Sequence, residues 1–117
     1  MKSVIDITDT LIACTLCNPV DEAEMQGIIT YTEEILNKDT NTYNLLIDLT
    51  QGGQFSNNAV GMVRNFYATY GNRIGTMVLI VGNPGYAEVA RILLERNQIP
   101  NVQIVNNKER AMSLLAS

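Results

Sequence analysis

Two stretches leave this chain little freedom of architecture. Tyr43 to Thr50 reads YNLLIDLT, and Ile74 to Val81 reads IGTMVLIV. Both are apolar almost without interruption. Such runs suit strands covered on both faces, as in a parallel sheet. Each is followed by turn residues and then by helical periodicity, which is how parallel strands are joined.

The remaining elements follow from hydrophobic spacing. Residues 3–8 and 10–17 read as two strands, with Asp9-Thr10 as the tight turn of an antiparallel hairpin. Asp21 opens a first helix with Glu24 three residues on, a capping-box-like start. Met25, Ile28, Ile29, Thr32, Ile35 and Leu36 then share one helical face. After Gly52-Gly53, any of Ser56, Asn57 and Asn58 can cap a second helix. Its inward stripe is Ala59, Met62, Val63, Phe66 and Tyr70, and Gly71 ends it. Asn83-Pro84 starts a third helix, with Tyr86, Val89, Ala90 and Leu93 buried and Asn97 and Pro100 as its stop. Val102 to Val105 is a last strand. Asn107 caps a last helix, with Ala111, Met112 and Leu115 facing inward.

The expected order is β-β-α-β-α-β-α-β-α. It describes one α/β domain over residues 1–117, with a mostly parallel sheet of four to five strands, an N-terminal antiparallel hairpin and four helices. The length of 117 residues suits a single domain.

Composition removes several function classes. The chain has no histidine, which excludes Ser-His-Asp and Cys-His catalysis and most zinc sites. A formal net charge of -4 argues against general nucleic-acid binding. No apolar run approaches the roughly 18–20 residues of a membrane helix. Met1-Lys2-Ser3-Val4-Ile5-Asp6 lacks the apolar region of a signal peptide, so a cytoplasmic address is expected. No nucleophile–base pair, P-loop or GxGxxG spacing is present. The expectation is a non-enzyme without cofactor or metal.

Charge is unevenly placed. Residues 1–48 carry nine acids against two bases, and residues 49–117 carry six bases against three acids. The second part holds Arg64, Arg73, Arg91 and Arg96. They read either as scattered solvated arginines or as a mildly basic face for an acidic protein or a phosphorylated group.

The segment LLIDLTQGGQFSNNAVGMVRNFYATYG, residues 45–71, resembles the STAS domain (sulphate transporter and anti-sigma-factor antagonist). More loosely, the chain resembles the SpoIIAA-like, STAS/SEC14-type small proteins. The family pattern is an apolar strand ending in Asp-Leu-Ser, a short loop, then Asp-Ser-Ser-Gly-Leu-Gly opening a helix. Ser56, Asn57 and Asn58 stand where the family has Asp-Ser-Ser. Ala59, Val60 and Gly61 stand at Gly-Leu-Gly. The resemblance implies a bacterial regulatory protein that binds a kinase-like or anti-sigma-like partner. In the family the first serine of the trio is phosphorylated. Asn57 takes that place here and has no hydroxyl, so the usual phospho-serine switch is not expected. Ser56 is the nearest substitute, with Thr50 a weaker one.

The candidate site is the loop at 51–58, which leaves the C-terminal end of a strand and feeds a helix. Gly52, Gly53, Phe55, Ser56, Asn57 and Asn58 belong to it, with Arg64 further along the helix and Tyr67 beyond it. A second loop, Gly82 to Tyr86, is expected beside it, so that Phe55 and Tyr86 form a lip and Asn83 a polar contact. The occupants weighed are a protein partner or, alternatively, a small apolar or anionic ligand or a lipid. An exposed edge strand leaves room for a homodimer. Asp48 reads as structural, accepting N–H groups of a nearby loop. Cys14 and Cys17 read as ordinary buried thiols on opposite faces of a strand. Gly61, inside a helix, implies close contact with the sheet or with a partner's backbone, the chain's own sheet being the first expectation.

Overall fold

The two apolar runs become the middle of a sheet. The computed structural model describes residues 4–17, 19–51, 54–99 and 101–116. In chain order its elements are β1 (Val4–Thr8), β2 (Leu11–Thr15), β3 (Pro19–Val20), α1 (Glu22–Leu36), β4 (Tyr43–Asp48), β5 (Gln54–Phe55), α2 (Asn57–Tyr70), β6 (Ile74–Ile80), α3 (Pro84–Arg96), β7 (Val102–Val105) and α4 (Lys108–Ala116). Five strands form one sheet in the order β1-β2-β4-β6-β7. β1 and β2 are antiparallel, and every later pair is parallel. The expected α/β class holds, as does the order of the five sheet strands and four helices; the two-residue strands β3 and β5 are additional.

β1 and β2 turn on Asp9-Thr10, with Thr8 opposite Leu11. Asp9 takes φ 51°, the left-handed conformation that a glycine would otherwise supply. The strands are shorter than expected, ending at Thr15, Asp48 and Ile80. The reason lies at their ends, where the chain departs from regular pairing but keeps single ladder bonds. Leu16 N–H reaches the Asp48 carbonyl at 3.0 Å, and Leu49 N–H reaches that of Ile80 at 2.9 Å.

Each crossover moves one strand along the sheet in the same direction. Right-handed connections therefore place α1, α2 and α3 on one face. There Ile12, Cys14, Leu45, Met77 and Leu79 meet Met25 and Leu36 of α1, Phe66 of α2 and Ala90 of α3. α4 crosses to the other face, where Ala111 packs on Leu46, Val78, Ile80 and Val105.

Two helix faces were misplaced by periodicity. Val89 is 49% exposed, and Ala87 and Leu94 pack inward in its place. The stripe of α3 is rotated about the buried Ala90, with Tyr86, Ala87, Leu93 and Leu94 packing partly buried beside it. Met112 is 41% exposed, since α4 alone covers its face and only Ala111 and Leu115 reach the strands. Gly71 does close α2, but with φ -57° rather than a left-handed turn, and the chain continues as a 3-10 turn over Gly71–Arg73.

That turn is tied to the entry of β4. Asp39 accepts from the Tyr43 hydroxyl at 2.7 Å and from the Asn41 N–H at 3.0 Å. The Arg73 guanidinium lies 3.3 Å away. The Tyr43 hydrogen bond first, then that of Asn41, hold the Asp39 carboxyl below its usual range. A lowered carboxylate pKa stabilises the fold above the unfolded pKa, and that contribution is lost as pH falls through the lowered value. Asp39→Asn should therefore lower the melting temperature at pH 7, and the gap to the parent should close in acid. A constant gap from pH 7 down to pH 2 would contradict this.

Candidate functional site

Ser56 decides how α2 begins. Its backbone is extended, with φ -75° and ψ 162°, and its Oγ accepts the Ala59 N–H at 3.1 Å. Of the three possible caps, Ser56 is the one used. Asn58 instead turns sideways, and its Nδ2 donates to Glu22 Oε1 at 2.5 Å. That bond ties the start of α2 to the start of α1. Both Ser56 and Asn58 are exposed.

Just before this cap, the chain forms a contact that no periodicity announced. β3 and β5 pair in parallel, Pro19 with Gln54 and Val20 with Phe55. The pair is two residues long and carries no alternation to read. It anchors one side of the loop to the segment leading into α1. Gly52 and Gly53 lie outside the described residues. For Phe55 and Asn57 the structure gives backbone position only: Phe55 in β5, Asn57 in the first turn of α2.

Asp48 behaves as expected. Its Oδ1 accepts the Thr50 N–H at 2.8 Å and the Thr50 hydroxyl at 2.6 Å, which folds the exit of β4. The second loop is capped in the same way as the first. Asn83 Oδ1 accepts the Tyr86 N–H at 3.1 Å, with Pro84 at the first helical position. Tyr86 is partly buried and packs against the core. Asn83 is exposed.

Along α2, Gly61, Arg64 and Ala68 fall at offsets of three and seven, so they share the outer face, with Arg64 and Ala68 exposed. A Cβ built on Gly61 would meet nothing within 4 Å. The expected close contact with the chain's own sheet is thus absent, because Gly61 points away from it. Arg64 is exposed and forms no ion pair among the described residues. Arg73 and Arg91 do pair, the first with Asp39 and the second with Glu88 and Glu95. Of Arg64, Arg73, Arg91 and Arg96, two are thus locally neutralised. Tyr67 is not part of that outer face. It packs against the core, and its buried hydroxyl has no hydrogen-bond partner among the described residues. Burial pushes that phenol up to about 12.

Cys14 lies within the core, and burial pushes its thiol up to about 12, which keeps it protonated and unreactive at neutral pH. β2 ends at Thr15, so the strand alternation invoked for Cys17 does not reach it. Both cysteines are buried, and neither is in a disulfide. No helix among the described residues is long and apolar enough to cross a membrane.

No family model matches the chain, and no curated protein matches it. Solved structures do. The unphosphorylated anti-sigma factor antagonist SpoIIAA aligns with a TM-score of 0.65 over 98% of both chains, at 11% identity. The phosphorylated Bacillus cell fate determinant SpoIIAA aligns at 0.68 over 97% of this chain and 98% of its own, at 14% identity. The chain has the SpoIIAA-like fold. The protein TM1081, solved by NMR, aligns at 0.67 over 96% of this chain and 86% of that one, with 18% identity. Identities this low speak to the backbone path of the SpoIIAA-like fold and not to shared chemistry.

Removing the Ser56 hydroxyl leaves the Ala59 N–H without its cap. Ser56→Ala should cost about 1 kcal/mol in urea unfolding, and Ser56→Asp should recover most of it. Equal stability of the alanine variant and the parent would show that the cap contributes nothing.

Proposed function

We propose that this chain is a non-catalytic regulatory domain that binds a protein partner through the 51–58 loop and the outer face of α2. The partner class suggested by the SpoIIAA-like fold is a kinase or an anti-sigma-like protein. The observation that carries the reading is Gly61. A glycine inside a helix costs roughly 1 kcal/mol relative to alanine. Here nothing among the described residues lies within 4 Å of where its Cβ would be. A partner's backbone approaching between Asn57 and Arg64 accounts for the glycine. Arg64, exposed and without an acid beside it, adds an attractive charge to the same face.

SpoIIAA is known in phosphorylated and unphosphorylated forms. In this chain the residue open to the same chemistry is Ser56. A phosphate there would sit at the start of α2, where negative charge is favoured. Asn57 offers no hydroxyl. Phosphosite mapping of protein from native cells under several growth conditions tests the point. We expect modified Ser56 peptide, and its complete absence would remove the switch.

Gly61→Ala separates stability from function. In a helix with open space around it, the added methyl should raise stability by about 0.5–1 kcal/mol. The same methyl should weaken partner capture, as should the double change Asn57→Arg with Arg64→Glu. Baits that recover the same proteins as the parent, with the same yield, would sink the proposed surface.

A further inference from the structure

Helices α1 and α2 lie side by side on the sheet, and a polar bond ties them at each end. At the N-terminal ends Asn58 donates to Glu22, at 2.5 Å. At the C-terminal ends Asn37 Nδ2 donates to the Tyr70 hydroxyl at 3.3 Å. Between the ties the helices and the sheet line a partly open apolar pocket of about 50 Å³. Met25 and Thr32 of α1, Val63 and Phe66 of α2, and Cys14 and Met77 of the sheet are among its walls.

The walls offer a guest almost nothing polar. The Thr32 hydroxyl is already spent on the Ile28 carbonyl at 2.8 Å. The Cys14 thiol is protonated and a weak donor. A polar guest would leave its water without replacement hydrogen bonds, which is costly. A hydrocarbon guest gives up no hydrogen bonds on entering. Apolar cavities of about 150 Å³ stay dry and take up benzene or xenon. The smaller space here suits the end of a chain rather than a ring. Met25 and Met77 have flexible side chains that can repack to lengthen it.

We propose that the slot between α1 and α2 binds the hydrocarbon end of a single alkyl or acyl chain, with the Glu22–Asn58 and Asn37–Tyr70 bonds limiting how far the helices part. This site is on the inner side of α2, opposite Gly61 and Arg64, and does not depend on the partner face.

The test uses the full chain labelled at its methionine methyls. It is titrated with straight-chain fatty acids from octanoate to tetradecanoate and with the matching alcohols, all below their micelle concentrations. Met25 and Met77 signals should shift, while Met112, on the far face of the sheet, should not. Affinity should rise by up to about fourfold per methylene, for acids and alcohols alike, until the slot is full. Val63→Phe should lower affinity about tenfold by filling the slot, and Val63→Leu serves where circular dichroism shows that the larger residue unfolds the chain. Asn58→Ala should raise affinity about threefold by releasing one tie. Shifts that include Met112 equally, affinity independent of chain length, binding of acids but not alcohols, or unchanged binding by a folded Val63 variant would each overturn the proposal.

Discussion

The structure depends on the double burial of β4 and β6. Leu45 and Leu46 are adjacent in sequence, point to opposite faces, and are both buried. Val78 and Leu79 repeat the pattern one strand over, in register with Leu46 and Ile47. Neither face of the sheet's middle can be left to water. Three crossover helices cover one side because the connections share a hand. The other side falls to α4. One helix cannot cover five strands, so that face is only partly apolar, and Met112 and Leu114 remain exposed on its cover.

Burial of the strands fixes where their ends lie. The parallel strands all finish at the same edge, so the loops that follow β4 and β6 and their helix starts meet there. The ends of all four helices are closed by the same device. Asp21, Ser56, Asn83 and Asn107 each accept the N–H of the third residue on, at 2.8–3.1 Å. These caps set the direction in which each helix leaves the edge. The buried stripe of Ala59, Val60, Val63 and Phe66 sets which side of α2 faces the core, and hence that Arg64 and Ala68 face outward.

Between α1 and α2 lie Met25, Ile28, Ile29 and Thr32 of the first helix and Val63 and Phe66 of the second, around the apolar pocket. The polar ties lie at the ends of the pair and the pocket lies between. Polar bonds are specific in direction and distance, whereas aliphatic contact is not. The ends are therefore the fixed points of this helix pair and the middle is its adaptable part. The outer face of α2 carries Arg64, which forms no ion pair among the described residues, while its inner face borders an apolar pocket.

Much of this was legible in the residues. Continuous apolar runs gave β4 and β6, Asp and Asn before helical spacing gave the caps, and the order of elements gave the sheet. Asp48 was correctly read as a structural acceptor, because a carboxylate in an apolar strand must find donors nearby. Local rules sufficed wherever the deciding partner lay within a few residues in sequence. They failed where the partner lay far away. The β3–β5 pairing, the Asn58–Glu22 bond, the rotation of α3 that exposes Val89, and the empty space around Gly61 depend on which distant segments meet. Each is settled by how strands and helices pack in three dimensions, since a helix's periodicity shows that it has a buried side but not how closely each residue of that side approaches its neighbour.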